Sequence, residues 1–448
     1  MAATVVLFTR DLRVHDHPAL HEAVRRGDLV VPLFVLDPTI LRRSARNRIA
    51  YLVEALTDLR EALRSRGGDL FVRYGDTVTE TMRVAEITGA GAIHLSYDVG
   101  RMAQRRQRHL RRAAEGSRLA VTTFPGVTVV PPLEVTPAGG DHYRVFTPYW
   151  RAWEAHTWRR RLPAPQRLHV PNDLPSERLP DATLRDQGRG PLSPERQRGG
   201  ESPARQRLRT WLDSGIAGYA EGSDMLAADA TSRLSADLRF GCLSPLELAR
   251  EARGRPGADA FVRQLAWRDF HHQVTAAFPG IARQDYRSRD TTWVSDTEGL
   301  ALWRAGQTGV PIVDAGMRQL LREGFMHNRA RLITASFLTR TMGVHWTCGG
   351  DHFHEVLCDG DIADNYGNWQ WVAGTGNDTR PNRRFNPLRQ AQRFDPEGEY
   401  VRRYVPELAG LDAAEAHWPW RSSRRPAEYP LPILDPEGAA GTGARPLG

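Results

Sequence analysis

A chain of 448 residues can bury two sizeable cores and is too long for one ordinary domain, so two domains are expected. Its 61 basic side chains, all Arg because the sequence holds no Lys, outnumber the 53 acidic ones by 8; the missing Lys reads as compositional bias and the surplus charge as suited to nucleic acid. Cys242, Cys348 and Cys358 form no CxxC pair and are too few for a disulfide framework or a four-thiolate iron–sulfur cluster, and no apolar run approaches the ~18 residues of a membrane span. No signal peptide precedes the first strand, so a soluble, cytoplasmic protein is expected, with no membrane partner and no metal site.

The first part of the chain alternates between two periodicities. The runs TVVLF, LVVPLFVLD, LFVRYG, AIHLSYD and AVTTF read as strands, and stretches such as IAYLVEALTDLREALRSRG and MAQRRQRHLRRAAEG between them read as helices. Such alternation over short turns means parallel pairing and right-handed crossovers, which predicts an α/β domain with a doubly wound parallel sheet over residues 1–130. From 131 to 203 Pro, Arg and Gln dominate around an aromatic island, FTPYWRAWEAHTW, and the segment reads as an interdomain linker. Residues 204–420 show helical periodicity and no convincing strand, predicting an all-α domain. Within it Val262, Ala266, Phe270 and Val274 recur at four-residue steps and can face a core, while Gln264, Trp267, Arg268 and His271 fall on another face of the same helix. The Pro- and Gly-rich stretch 421–448 is expected to be disordered.

The densest signal lies between Asp359 and Trp371, DGDIADNYGNWQW, where three acids, two Asn and two Trp share one short segment. Burying such groups unpaired costs about 1–3 kcal/mol each, so a ligand rich in donors and acceptors explains the segment better than a solvated loop does. Upstream lie Tyr219, the run TSRLS (Thr231 to Ser235) followed by FGCLSP, then QLAWRDF (Gln264 to Phe270) and GMRQLLREGFMHNRARLITASFL (Gly316 to Leu338). Taken alone, TSRLS offers hydroxyls and backbone N–H groups at a helix start, which serves an N-cap as well as a phosphate. Together with the N-terminal VVLFTRDLRVHDHPAL, the ordered set resembles the photolyase/cryptochrome family of light-driven flavoproteins from about Thr4 to about Trp420, and especially its actinobacterial-type class I cyclobutane pyrimidine dimer photolyases.

The resemblance implies the photolyase/cryptochrome fold and a bound FAD. It assigns Tyr219, Thr231, Ser232, Arg233, Leu234 and Ser235 to the phosphates with Arg268 nearby, and Asp359, Gly360 and Asp361 to the isoalloxazine and ribose side, with Arg331 as the ion-pair partner of Asp359. Gln264, Trp267 and Asn328 are also implied to border the cofactor. Asn365 is implied to face flavin N5, where plant-type cryptochromes carry a carboxylic acid; a neutral amide suits an enzyme that works from fully reduced flavin. Trp369, Trp346 and Trp293 match the three positions of the family's electron-carrying tryptophan chain, whereas Trp303 and Trp211 keep the ordinary reading of core residues. Trp267 and Trp371 match the aromatic pair that sandwiches a dimer flipped out of the duplex, a solution that photolyases share with other enzymes acting on a base. Gln264, Asn328, Arg329 and Arg383 match contacts to the lesion and the DNA backbone, Arg383 lying in the basic run RPNRRFNP.

Two positions depart from the commonest dimer-photolyase pattern, in that Gln264 stands for a Glu and Leu332 for a Met. Gln keeps hydrogen bonding but supplies neither an acid proton nor a charge, and Leu for Met nearly conserves volume. The (6-4) photolyases also place Gln at the first site, but pair it with two His where this chain has Asn328 and Leu332. The resemblance therefore implies light-driven repair of cyclobutane pyrimidine dimers in UV-damaged DNA, by a monomeric carbon–carbon lyase that transfers an electron from excited reduced FAD. A cryptochrome-type photoreceptor is the alternative, and a (6-4) photolyase the next. For a second, antenna chromophore, LDPTILRRSARNRIAYL looks more like members that bind 8-hydroxydeazaflavin than like those that bind methenyltetrahydrofolate, with Arg48 and Asp98 as polar contacts.

Overall fold

The structure is a computed structural model and describes residues 3–27, 29–171, 174–377 and 384–435. The chain divides into two compact units. The first comprises Met1–Gly190, Gln197–Ala217 and Ser232–Pro279, and the second Pro191–Arg196, Gly218–Thr231 and Gly280–Gly448.

In the first unit five strands, β1 (Ala3–Leu7), β2 (Leu29–Leu36), β3 (Phe71–Tyr74), β4 (Ala90–Ser96) and β5 (Ala120–Phe124), form one sheet in the order β3-β2-β1-β4-β5. All four pairings are parallel, with Val5 opposite both Val31 and Ile93. Helices Pro18–Arg25, Arg46–Arg64, Thr77–Ile87 and Arg101–Ala114 make the crossovers, so the expected doubly wound sheet is the observed one. Strands buried on both faces read as continuous apolar runs, and Val5, Leu7, Val31, Leu33, Ile93 and Leu95 form the resulting core. Pro32 is tolerated in β2 because pairing with β3 begins only at Leu33, leaving an edge on that side.

The expected linker is not a free connection. Its backbone is stitched to the sheet unit by Leu168 N to Arg66 O and His169 O to Val30 N, both at 2.7 Å, and by Glu177 N to Val72 O and Arg189 N to Ser44 O, both at 2.8 Å. Nor does the first unit end near residue 204, because helices Glu201–Thr210, Ser235–Phe240, Pro245–Ala252 and Ala258–Ala277 pack within it. Gly241 shows why one of these helices stops where it does. It holds φ at 65°, and a Cβ there would stand 2.1 Å from Arg10 O.

The second unit is helical. Among the described residues no strand follows Phe124. Helices Trp346–Val356 and Ile362–Ala373 approach so closely that a Cβ on Gly349 would lie 2.1 Å from Trp369 Cη2. In the stretch after Trp420 the described residues, through Asp435, are packed, which corrects the expectation of disorder for them. Tyr429 is fully buried, its hydroxyl donates to Asp314 Oδ2 at 2.7 Å, and Ile433 N donates to Thr308 O at 2.9 Å. Pro and Gly content raised the expectation; a single aromatic anchor with a buried carboxylate partner overrides it.

Candidate active site

Helix Ala258–Ala277 of the first unit carries Gln264, Trp267 and Arg268. It begins after Gly257 at φ 74° and stops before Phe278–Pro279, since a residue preceding Pro is driven out of the α region. Val262, Ala266, Phe270 and Val274 are buried as their spacing predicts. Gln264 is exposed, and Trp267 and Arg268 are half-buried beside it. The Trp267 ring stacks on Phe146 at 3.7 Å and 7°, so one face is already covered and one edge of the helix is stiffened. Arg268 Nη1 donates to Val127 O at 2.6 Å, tying it to the segment after β5.

Next to Arg268, Asp269 is wholly buried and accepts at Oδ2 from Val129 N (2.9 Å), Val130 N (3.0 Å) and Trp153 Nε1 (2.9 Å). Burial pushes its carboxyl up to about 6 against the lowering pull of Arg268 and of these N–H donors. Between pH ~4 and ~6 the folded protein then holds a proton that the unfolded chain has released, so stability falls as pH rises through that window. Asp269→Asn should abolish this slope, worth about 2–3 kcal/mol in total. Urea midpoints of both proteins at pH 4.5 and 7 check it; equal slopes would show that Asp269 titrates normally.

TSRLS does not act as an N-cap. Ser235 opens the helix Ser235–Phe240, its N-cap is Leu234 with no side-chain cap bond, and Ser232 Oγ accepts from Leu234 N at 3.4 Å. The backbone around the run is left-handed at Asp229 (φ 47°) and at Arg233 (φ 51°). For Arg233 that costs about 1–2 kcal/mol with no glycine to relieve it, the kind of strain retained at binding loops.

In the second unit Tyr219 is half-buried, and Thr231 Oγ1 is buried without a hydrogen-bond partner among the described residues. Arg331 Nη2 lies 2.7 Å from Asp359 Oδ2, with Arg331 Nε donating to Met326 O at 2.8 Å. Asp359 Oδ1 is buried and has no partner among the described residues. Gly360 beside it is buried. Asp361 has a structural task, capping helix Ile362–Ala373 by accepting from Ala363 N at 2.8 Å and Asp364 N at 3.3 Å. Asn365 lies inside that helix and so closes no turn; it is buried, and its Nδ2 donates to Gly350 O at 2.9 Å. The orphaned Asp359 oxygen beside a fixed guanidinium, and separately the orphaned Thr231 hydroxyl, fit a ligand with phosphate and ring donors and acceptors, as FAD has.

Asn328 is exposed at the start of helix Asn328–Ser336. Arg329, expected at the lesion, is engaged within its own unit: Nη2 pairs with Asp224 Oδ2 at 2.6 Å and the guanidinium sits 4.3 Å over the Phe394 ring. Trp371 is half-buried, 6.2 Å from Phe385. Arg383 lies outside the described residues.

The three tryptophans are packed among other rings. Trp369 is buried against Phe353 (5.0 Å) and Trp303 (6.1 Å). Trp346 is fully buried and donates Nε1–H to Asp285 Oδ1 at 2.8 Å. His345 bridges it to Trp293, with ring centroids 5.4 Å from Trp346 and 4.9 Å from Trp293. Burial outweighs the Asp285 charge and lowers the His345 imidazole below its ordinary value. Neither Asp285 nor His345 is marked by any motif; only their folded neighbours single them out.

Asp98 lies at the loop leaving β4, across from β1 where the strand order reverses, the usual ligand crevice of such sheets. It accepts from Gly100 N at 3.2 Å and lies 3.4 Å from Arg10 Nη1. Burial lowers the nearby Arg106 guanidinium against the pull of Asp98, Asp11 and Asp37. Arg48 is buried on helix Arg46–Arg64 and is not the surface residue that a solvated helix would give. A cavity of about 240 Å³ adjoins Asp98, bordered by Tyr97, Phe124, Pro125 and Pro131.

A parallel sheet unit and a helical unit with orphaned polar atoms and packed tryptophans define a flavoprotein of photolyase build. Residues 4–167 match the family model described as DNA photolyase, and residues 261–443 the one described as the FAD binding domain of DNA photolyase. The chain is 49% identical over 444 residues to a Streptomyces griseus protein named deoxyribodipyrimidine photo-lyase, covering 97% of each. It superposes with a TM-score of 0.91 on a class III photolyase from Agrobacterium tumefaciens (32% identity, 98% of this chain and 95% of that one). The score is 0.85 on an archaeal photolyase from Sulfolobus tokodaii described with two FAD molecules (28% identity, 96% of each). The chain belongs to the DNA photolyase/cryptochrome family. Among the described residues no helix is long and apolar enough to cross a membrane.

Proposed function

We propose that this chain repairs cyclobutane pyrimidine dimers in UV-damaged DNA, using light and reduced FAD. The observation that carries the reading is the Arg331–Asp359 pair, in which one buried carboxylate oxygen is left for a ligand. Bound FAD supplies the light-excited electron that enters the dimer, opens its ring and returns.

The chain's own residues hold and refill that chemistry. Asp359 Oδ1 would accept a hydrogen bond from the cofactor, while Arg331 fixes the carboxylate and would offset the charge of a reduced, anionic ring held there. Thr231 Oγ1 would donate to a phosphate oxygen of the cofactor. Asn365, with one of its two N–H groups committed to Gly350 O, offers its amide oxygen as a neutral acceptor. Trp267 presents an apolar face to the flipped dimer and Gln264 hydrogen-bonds it; Trp293, Trp346 and Trp369 carry electrons inward to oxidised cofactor. Arg48 and Asp98 contact an 8-hydroxydeazaflavin-type antenna, with a second flavin as the competing occupant.

Gln264 provides the test. Gln264→Glu should retain dimer repair within roughly tenfold, because a neutral and a protonated-acid hydrogen bond differ by about 1 kcal/mol. Gln264→Leu should lose about 1–3 kcal/mol of dimer affinity by leaving thymine groups unpaired. Dark binding of a dimer oligonucleotide and repair per absorbed photon measure both. A wild type that binds no dimer, with Gln264→Glu creating binding and repair, would transfer the reading to a photoreceptor.

A further inference from the structure

Tyr366 belongs to none of the roles above, yet three features meet on it. Its ring is 2% exposed and lies 6.3 Å from Trp346 in an edge-on arrangement at 74°. The ring is pressed against the neighbouring helix, where a Cβ on Gly350 would stand 2.9 Å from Tyr366 Cε1. Its hydroxyl donates to Asp351 Oδ1 at 2.5 Å. The Asp351 side chain is 45% exposed and is paired at 2.8 Å with Arg283, itself 63% exposed, so the carboxylate joins a buried phenol to solvent. A buried tyrosine hydroxyl needs some partner, and an amide or carbonyl would satisfy it. A carboxylate does more, since it can also receive the proton.

We propose that Tyr366 is a second electron donor to Trp346, with Asp351 as its proton acceptor. The proposal rests on Trp346 serving as a relay. Trp369 loses one electron to light-excited oxidised FAD, and Trp346 refills it, becoming a one-electron-deficient indole cation. Tyr366 then passes one electron to Trp346, restoring neutral indole, while its phenolic proton moves to Asp351 Oδ1. The products are a neutral tyrosyl radical and a protonated Asp351, which releases the proton to water. A phenol that has lost an electron is a far stronger acid than any carboxylic acid, so the proton leaves even though Arg283 stabilises the Asp351 charge. Return of the electron now requires a proton to come back as well, which lengthens the life of the separated charge. A thiol in solution supplies the electron and proton that restore Tyr366. This route leaves from the middle of the relay and bypasses His345 and Trp293.

Flash spectroscopy and electron paramagnetic resonance on the FAD-loaded protein decide it. The wild type should form a tyrosyl radical after the indole cation, with a resonance that narrows when ring-deuterated tyrosine is incorporated. Tyr366→Phe keeps the ring packing and should lose that radical entirely, leaving indole radicals that recombine several-fold sooner. Asp351→Asn keeps the phenol and a hydrogen bond but accepts no proton, and should lower the tyrosyl yield several-fold. Indole radicals of identical lifetime in wild type and Tyr366→Phe, with no tyrosyl signal, would overturn the branch while leaving the relay standing. Absence of any indole radical in the wild type would remove the relay, and the branch with it.

Discussion

Trp346→Phe is expected to reduce light-driven reduction of oxidised FAD to background, while chemically reduced protein still repairs dimers at close to the wild-type rate. Phe fills most of the buried volume but is far harder to oxidise than indole, and it cannot make the Nε1 bond to Asp285. The loss of that bond leaves a half-buried carboxylate that water can reach, so folding should suffer by no more than about 1–2 kcal/mol. Trp293→Phe should act in the same direction more weakly, because Trp346 and Tyr366 remain. Absorbance of the flavin under continuous light, with and without dithionite pre-reduction before the repair assay, separates the two activities. Equal loss of both would mean that Trp346 is a packing residue and that no relay runs through it.

Arg331→Ala should be the most damaging single change at the cofactor site. Asp359 is 5% exposed at its side chain and would keep a buried charge with no counterion. Breaking a buried pair from one side costs about 3–5 kcal/mol, and because Arg331 is a quarter exposed the lower end applies, near 3 kcal/mol. In the apoprotein this appears as a lower unfolding midpoint; in FAD titrations it adds to a weaker dissociation constant, by about a hundredfold. The double variant Arg331→Ala, Asp359→Asn removes the unpaired charge and should regain most of the folding stability while FAD remains weakly bound. If FAD affinity returned with stability, Arg331 would be structural only.

Much of the fold follows from local pattern. Val5, Val31 and Ile93 lie on strands whose apolar runs are continuous because both faces of the sheet are covered, and the four-residue stripe from Val262 to Val274 is buried as its period requires. What the sequence hides is whatever depends on distant partners. Composition changes near residue 204, whereas the compact units divide elsewhere, the first of them taking in Gln197–Ala217 and Ser232–Pro279. The tail after Trp420 looks disordered until Tyr429 meets Asp314, a partner 115 residues away. At the site, Arg331–Asp359 and the tryptophan positions are legible through motifs. Asp285, His345 and Asp351 are not, since an isolated acid or His in a polar stretch carries no periodic signal. The partners of Arg329 are hidden in the same way, Asp224 lying 105 residues before it and Phe394 far after it in the chain.

Repair itself can be watched on a single lesion. Fully reduced, FAD-loaded protein is mixed with an oligonucleotide carrying a single defined cyclobutane thymine dimer, illuminated in the near-ultraviolet and blue, and the strand is analysed for restored thymines against a dark control. Light-dependent restoration with multiple turnovers is expected, and none in the dark. Confirmed full reduction of the flavin with no thymine restored, under light that bleaches neither flavin nor DNA, would contradict it.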